Sequence, residues 1–251
     1  MHIFRNYIYL ILVVFYANAA VFGQDAEILF EEANRVYAQG DYQSAVDLYL
    51  KIINQGVESG EVYFNLGNAY YKLDQIGPSI LYYEKAKKYI EGDAALEQNL
   101  TLAQLKIVDK IDSIPKLFIE EWWYEIIHFT SINTMLWITF SLFTLSILLI
   151  IIQIFYNRPA IRRVMWIFIT IFLIMAILSV SRIYQFETSD FGVILEEKVS
   201  VFSEPGLSGT EVFILHEGTK VSINRRLDDW YEISIPDGKT GWLKSNTLAI
   251  I

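Results

Sequence analysis

The sequence predicts a multidomain protein made of an all-α repeat solenoid, a two-helix transmembrane hairpin and a C-terminal all-β barrel. The first part shows an internal repeat of 34 residues, the middle part holds two long stretches without a charged residue, and the last part alternates apolar and polar residues. Hydrophobic residues make up 53% of the chain and charged residues 20%. An ordinary soluble domain has about 25% charged residues, so part of this chain is expected to lie in lipid.

Residues 1–23 have the pattern of a secretory signal peptide. Arg5 provides a positive charge, Ile8–Tyr16 is an apolar run, and small residues precede the polar sequence that follows. Cleavage is expected after Ala19 or after Gly23, and the alternative is an uncleaved anchor with the same orientation. In either case the following segment is expected to be exported.

Residues 24–112 are predicted to form an α-helical repeat domain. The segment 26–59 aligns with 60–93, and small or aromatic residues recur at equivalent positions. These pairs are Ala33 and Gly67, Ala45 and Ser79, and Tyr49 and Tyr83. The strings EEANRVYAQGDYQSAVDLYLKII and YFNLGNAYYKLDQIGPSILYYEKAKKY resemble the tetratricopeptide (TPR) repeat. A further helix is expected to cap the array with an apolar stripe of Leu96, Leu100, Ala103 and Ile107.

The resemblance to TPR repeats implies a concave partner-binding surface formed by the first helix of each repeat. Six aromatic and amide residues are the candidates for this surface: Phe30, Asn34, Tyr37, Phe64, Asn68 and Tyr71. Such a surface suits an extended peptide or a partner helix, and Asn68 is expected to be exposed there. The alternative is that several of these side chains pack inside the solenoid.

Two uncharged stretches, Phe129–Asn157 and Val164–Ser181, are near or above the length of about 20 residues that a membrane-spanning helix needs. They predict transmembrane helices at residues 132–156 and 164–184, joined by a loop at 157–163. Short loops rich in arginine stay cytoplasmic. The arginines between the two stretches are Arg158, Arg162 and Arg163. Both large flanking segments are therefore expected on the outer side of the membrane.

Residues 113–131 are predicted to form an interfacial helix that leads into the membrane. Trp122 and Trp123 lie on its apolar face, opposite a set of glutamates. Tryptophan favours the headgroup level of a bilayer, and an amphipathic helix can lie in that layer. Residues Asp109–Lys116 are expected to connect the repeat domain to the membrane.

Residues 190–251 alternate apolar and polar residues between turn residues, as expected for a small antiparallel barrel. The order of the short strands and the tight turn Asp237-Gly238 resemble the bacterial SH3 domain. The recurrent residues of that domain are found here as Val199, Val201 and Pro205, then Glu217-Gly218-Thr219 and Val221, then Trp230–Ile233, and finally Gly241-Trp242-Leu243.

The resemblance to bacterial SH3 domains implies binding of cell-wall peptides or polyproline segments. Trp230 and Trp242 are the residues that invite this interpretation. The alternative, which we favour from the sequence, is that both tryptophans are core residues of the barrel. His216 is expected to be an exposed hairpin residue.

Composition excludes several classes of function. A net charge of −9 disfavours nucleic-acid binding, because phosphate binding depends on clustered lysine and arginine. The chain has no cysteine, so disulfides, thiol chemistry and cysteine-ligated metals are excluded. The three histidines, His2, His128 and His216, lie far apart without metal-ligand spacing. No metal, no cofactor and no catalytic residue is expected, and the chain is predicted not to be an enzyme.

The order of signal peptide, TPR repeats, two spans and SH3-like barrel resembles the E-type proteins of the Bat (bacterial aerotolerance) operons over the full length. The resemblance implies a protein of the bacterial inner membrane with its TPR and SH3-like domains in the periplasm. Implied partners include membrane-bound von Willebrand A domain proteins. The expected function is a scaffold that binds partner proteins in an aerotolerance or envelope stress complex. The alternative is a cell-wall module that binds peptidoglycan through the SH3-like domain.

Overall fold

The computed structural model describes residues 25–112, 114–115, 117–188, 190–206 and 208–251. The predicted signal peptide lies outside the described residues. The chain divides into two compact units. The first combines the N-terminal segment up to Ile111 with the C-terminal segment Phe191–Ile251, and the second is the intervening segment Asp112–Asp190. The first unit is therefore discontinuous along the chain.

Five helices form the N-terminal part of the first unit within the described residues 25–111. They are α1 (residues 25–38), α2 (Tyr42–Asn54), α3 (Gly60–Lys72), α4 (Ile76–Lys87) and α5 (Ala94–Leu105). Aspartates cap two of them, because Asp41 accepts a hydrogen bond from the Ser44 amide at 3.1 Å and Asp93 one from the Leu96 amide at 2.9 Å. After α1 the chain turns at Gly40, whose φ of 85° is a left-handed backbone that glycine adopts readily.

Small residues allow helices α3 and α4 to pack closely. A Cβ added to Gly67 would come within 2.6 Å of Cδ1 of the Tyr83 ring, so the contact depends on the missing side chain. The Ser79 hydroxyl donates a hydrogen bond to the Gly67 carbonyl at 2.9 Å. The six residues paired by the 34-residue alignment are all buried. This burial fits an internal repeat, and the assignment of the helices to the TPR family stays a prediction.

The C-terminal part of the first unit, the β domain, is a seven-stranded antiparallel sheet. Its strands are β1 (Phe191–Ile194), β2 (Lys198–Phe202), β3 (Glu211–His216), β4 (Lys220–Leu227), β5 (Trp230–Ser234), β6 (Thr240–Lys244) and β7 (Leu248–Ile250), in the order β3-β2-β6-β5-β4-β1-β7. Alternate residues of each strand face one core, which includes Val199, Val201, Leu215, Val221, Ile233 and Leu243. The predicted antiparallel sheet is confirmed.

The helices and the β domain share an apolar core. Val193 of β1 is fully buried among residues of α3, α4 and α5, and Ile111 packs against the core of the β domain. The segments 24–112 and 190–251, expected from the sequence as two separate domains, are thus parts of one compact unit.

One expectation about this region is wrong. It concerns a contact of Asp109, in the segment after α5, whose side chain is only 13% exposed and lies 2.7 Å from the His216 ring nitrogen. His216 was expected to be an exposed hairpin residue, and it is half-buried by the same contact. The two residues lie 107 positions apart, so no local pattern relates them.

The second unit contains three helices: α6 (Phe118–Ile127), α7 (Ile132–Tyr156) and α8 (Pro159–Thr188). Helices α7 and α8 are long and apolar enough to cross a membrane, and few of their residues are buried. They pair through contacts that include a hydrogen bond between the Thr139 and Ser179 hydroxyls at 3.0 Å. The prediction of two apolar helices is confirmed. The interfacial position of α6, whose Trp122 is 64% exposed, stays a prediction.

The connection between α7 and α8 is shorter than the predicted loop at 157–163. Asn157 ends α7 in a left-handed conformation with a φ of 38°, and α8 begins at Pro159. Proline is tolerated in the first turn of a helix, because the backbone N–H that it lacks has no partner there. Arg162 and Arg163 therefore lie in α8 and not in a loop.

Candidate functional site

The strongest candidate site is a row of side chains on the outer surface of the β domain. Phe202 of β2 lies opposite Trp242 of β6, Trp242 lies opposite Glu232 of β5, and Glu232 lies opposite Arg225 of β4. Side chains that lie directly opposite each other on neighbouring strands share a face of the sheet. The other face is the buried core, so this row faces outward.

Trp230 completes an aromatic group on this surface, which we call the aromatic face (Phe202, Trp230 and Trp242). The ring of Trp230 packs edge-on against Phe202, with ring centroids 5.9 Å apart and an interplanar angle of 82°. This is a favourable aromatic geometry. All three side chains are half-buried. The expectation that the two tryptophans are core residues is therefore corrected, because they point away from the core.

A charged pair borders the aromatic face. The Arg225 guanidinium donates two hydrogen bonds to the Glu232 carboxylate, at 2.6 and 2.9 Å, and lies 5.8 Å from the Trp242 ring centroid. The Arg225 side chain is 71% exposed and Glu232 is 15% exposed. The pair can exchange hydrogen bonds with a ligand, while the aromatic rings offer apolar contact surface. This combination suits binding.

Sequence reasoning missed Phe202, Arg225 and Glu232 as parts of one site. A signal for Phe202 was present, since Val199 and Val201 alternate inward and the following residue must point outward. The register that brings Arg225 to Glu232 was not visible, because β4 contains an irregularity between Ile223 and Arg225. Such a bulge changes which residues of a strand share a face.

The six residues predicted for the concave helical surface are all half-buried. Their aromatic members pack against neighbours within the helical part. Phe30 packs on Tyr49, Tyr37 on Tyr42 and Phe64 on Tyr83, while the Lys106 ammonium lies over the Tyr71 ring. A large part of each aromatic side chain is thus buried by packing inside the solenoid, which is the alternative that the sequence left open.

Asn34 and Asn68 occupy equivalent places in a repeated hydrogen-bond network. The Asn34 Oδ1 accepts hydrogen bonds from the Tyr49 hydroxyl at 2.6 Å and from Asn65 Nδ2 at 2.9 Å. Asn68 Oδ1, 34 residues later, accepts from the Tyr83 hydroxyl at 2.7 Å and from Asn99 Nδ2 at 2.8 Å. We call this network the asparagine ladder (Asn34, Asn65, Asn68 and Asn99, with Tyr49 and Tyr83).

The tyrosines of the asparagine ladder are donors. Burial raises the pKa of Tyr49 to about 12 and also raises the pKa of Tyr83, so both hydroxyls keep their protons at neutral pH. The expectation that Asn68 is an exposed amide is therefore wrong. Its oxygen holds a buried hydroxyl of α4 and an amide of α5, so the residue contributes to the stacking of the helices.

Replacing Asn68 by alanine is expected to lower the free energy of unfolding by about 1–3 kcal/mol. The physical reason is that the buried Tyr83 hydroxyl loses its acceptor. Thermal and urea unfolding of the detergent-solubilised full chain measures the change. Asn54→Ala, at the exposed end of α2, is the control. A change equal to that of the control would show that the ladder does not stabilise the helices.

Among the described residues, no group of three or more histidine, aspartate or glutamate side chains is placed to hold a metal ion. The expectation that the chain works without metal or cofactor stays a prediction.

Comparison with known protein families identifies one region of the chain. Residues 197–249 match the family model of the bacterial SH3 domain. This confirms the resemblance drawn for the C-terminal segment, and the match contains all three residues of the aromatic face. No curated protein matches the chain.

Proposed function

We propose that this chain is a membrane-anchored binding protein whose β domain binds the bacterial cell wall through the aromatic face. The match of residues 197–249 to the bacterial SH3 domain carries the proposal, because this class of domain suggests a cell-wall-binding module. The two membrane-spanning candidates, α7 and α8, support an anchor.

The chemistry of the aromatic face suits peptidoglycan. Half-buried tryptophan and phenylalanine rings provide flat apolar surface against which the apolar side of a sugar ring can pack. Arg225 donates from Nε and Nη2 to Glu232, and the remaining N–H groups of its guanidinium can donate hydrogen bonds to the amides and carboxylates of the attached peptides. Because Arg225 is 71% exposed, this surface is open to a polymeric ligand.

The proposed location is the outer side of the inner membrane, with the helical part and the β domain in the periplasm. A common side for both soluble segments is supported by their packing into one compact unit. The choice of the outer side is supported by Arg158, Arg162 and Arg163 between the two apolar stretches, because arginine-rich connections stay in the cytoplasm.

A second candidate function is protein binding by the helical part, as a scaffold of TPR type. The asparagine ladder favours it: within the described residues, Nδ2 of Asn34 and Asn68 and Oδ1 of Asn65 and Asn99 keep hydrogen-bonding capacity that the ladder does not use. These donors and acceptors could bind the backbone of an extended peptide. With this second function, the proposed partners are membrane proteins with von Willebrand A domains, and the proposed assembly is an aerotolerance or envelope stress complex.

Replacing Trp230 by alanine is expected to weaken binding of the detergent-solubilised chain to purified sacculi about tenfold, since central aromatic residues carry much of the energy of a binding surface. Co-sedimentation with increasing amounts of sacculi measures the affinity. The matched control is Tyr37→Ala, which removes an aromatic ring from the helical surface.

The two variants distinguish the cell-wall-binding function from the scaffold function. Retained binding in the Tyr37 variant with loss in the Trp230 variant supports the cell-wall proposal, provided that unfolding shows both variants to be folded. Equal binding by wild type and the Trp230 variant would contradict the role of the aromatic face. Failure of wild type to sediment with sacculi would contradict cell-wall binding altogether and favour the scaffold function.

A further inference from the structure

Five consecutive residues, from the last residue of β3 through the turn to the first residue of β4, contact the helical part of the chain. We call them the docking turn (His216–Lys220). The backbone amide of His216 and the hydroxyl of Thr219 each donate a hydrogen bond to Asp109 Oδ2 at 2.7 Å, and the His216 ring nitrogen lies 2.7 Å from Asp109 Oδ1. A single carboxylate thus holds the turn at three points. Thr219 is buried and Asp109 nearly so.

The other residues of the docking turn bind α4. Glu217 Oε1 accepts a hydrogen bond from the Gly77 amide at 2.8 Å, in the first turn of the helix. Lys220 donates to Glu84 Oε2 at 2.7 Å, and the Glu84 side chain is only 8% exposed. A buried carboxylate needs such a partner, since an unpaired charge in this position would be strongly unfavourable.

Apolar contact at the tip of the docking turn requires a glycine. Gly218 has a φ of 86°, and an added Cβ would lie 3.1 Å from Ile80 Cδ1 and 3.2 Å from Ile107 Cγ1. The residue is buried. The backbone of the turn therefore packs directly on side chains of α4 and of the segment after α5.

The docking turn also contacts both segments of the first unit, near the ends of those segments that border the inserted residues. Asp109, which binds His216 and Thr219, comes just before that unit begins at Asp112. Phe191 follows the unit directly, and its ring lies 4.6 Å from the Lys220 ammonium. Neighbouring residues of one turn thus contact the chain on either side of the insertion.

We propose that the docking turn closes this discontinuous unit, so that residues 25–111 and 191–251 form their shared core only together. The turn binds the chain's own helices, so an external ligand of the β domain must use another surface. Because the domain forms only when both segments meet, α7 and α8 must return the chain to the side from which it entered the membrane. The proposal concerns folding and topology and does not depend on the ligand of the aromatic face.

Cross-linking in native membranes tests this arrangement. Because the chain has no cysteine, only the introduced cysteines can react with the cross-linker. Lys88 Nζ donates a hydrogen bond to the Ile251 carbonyl at 2.9 Å, and both residues are half-buried. The full chain carrying Lys88→Cys and Ile251→Cys is treated with a short bismaleimide. The control carries Lys88→Cys and Lys244→Cys, because β6 is separated from β1 by two strands. Each single variant is first labelled with a monofunctional maleimide.

We expect an intramolecular cross-link between positions 88 and 251 and its loss in the 88 and 244 control. Absence of the first cross-link, with both cysteines reactive, would overturn the proposal. A cross-link that forms only between copies, detected by mixing chains with one cysteine each, would also overturn it.

Charge reversal tests the docking turn itself. Glu84→Lys and Lys220→Glu should each lower the thermal midpoint of the full chain, since each leaves two like charges in contact at a partly buried site. The double variant should recover most of the loss, because the pair is restored with its signs exchanged. Additive losses in the double variant would mean that Glu84 and Lys220 are not partners, and would overturn the proposed closure.

Discussion

Replacing Asp109 by alanine is expected to lower the free energy of unfolding of the first unit by about 3–5 kcal/mol. The change removes the acceptor of the His216 amide and of the buried Thr219 hydroxyl, as well as the partner of the His216 ring. Urea unfolding of the detergent-solubilised full chain, followed by pulse proteolysis, measures the loss. Asp112→Ala, at an exposed position three residues later, is the control.

The contribution of Asp109 to the free energy of unfolding should decrease as the pH falls. Burial by itself raises the pKa of Asp109, but hydrogen bonds from the His216 side chain and backbone and from Thr219 outweigh it, so the pKa lies below 3.8. A carboxyl whose pKa is lowered by folding stabilises the protein above its unfolded pKa and loses that contribution as the pH falls through the folded pKa. The difference in the free energy of unfolding between wild type and the Asp109→Ala variant should therefore be largest at pH 7 and become smaller below about pH 4.

Two results would contradict this account of Asp109. A variant as stable as the Asp112 control would show that the docking turn does not hold the two segments together. A stability gap that persists unchanged in acid would show that the ionised carboxylate is not the stabilising group.

Replacing Leu66 by alanine is expected to cost about 2–5 kcal/mol of unfolding free energy. Leu66 is fully buried in the core formed by α1, α2 and α3. Truncation removes apolar contacts and leaves a cavity in this core, which the surrounding helices fill only in part. Thermal and urea unfolding of the full chain in detergent measure the change.

Leu102→Ala is the matched control for Leu66, because it makes the same chemical change at a side chain that is 42% exposed. It should change the stability by less than about 0.5 kcal/mol. Equal losses in the two variants would indicate that Leu66 does not lie in a packed core of the helical part.

Much of the architecture was predictable from local patterns. The apolar helices α7 and α8 follow from runs without charge, and the β domain follows from alternation and turn residues. The aromatic face was partly predictable, since the inward positions of Val201 and Leu243 require Phe202 and Trp242 to point outward. The two tryptophans were expected in the core, because their positions resemble core positions of the barrel.

The asparagines of the helical part show what a local sequence pattern can and cannot predict. Spacing correctly placed Asn34 and Asn68 at equivalent positions, 34 residues apart. It could not show that each amide oxygen is already bound by a tyrosine of the following helix, because those bonds depend on how the helices pack. An amide on a helix surface and an amide between two helices have the same sequence signature.

By itself the sequence determined the elements: a repeated set of helices, two apolar helices long enough to span a membrane, and a β domain of bacterial SH3 type. These follow from periodicity, charge and turn chemistry, which act between residues close together in the chain. Tertiary structure alone decided that the first and last segments fold as one unit. The contacts of Asp109 with His216 and of Glu84 with Lys220 join residues more than 100 positions apart. A lone carboxylate in a linker or on a helix carries no local sign of such a partner, since the pairing exists only once both segments share a core.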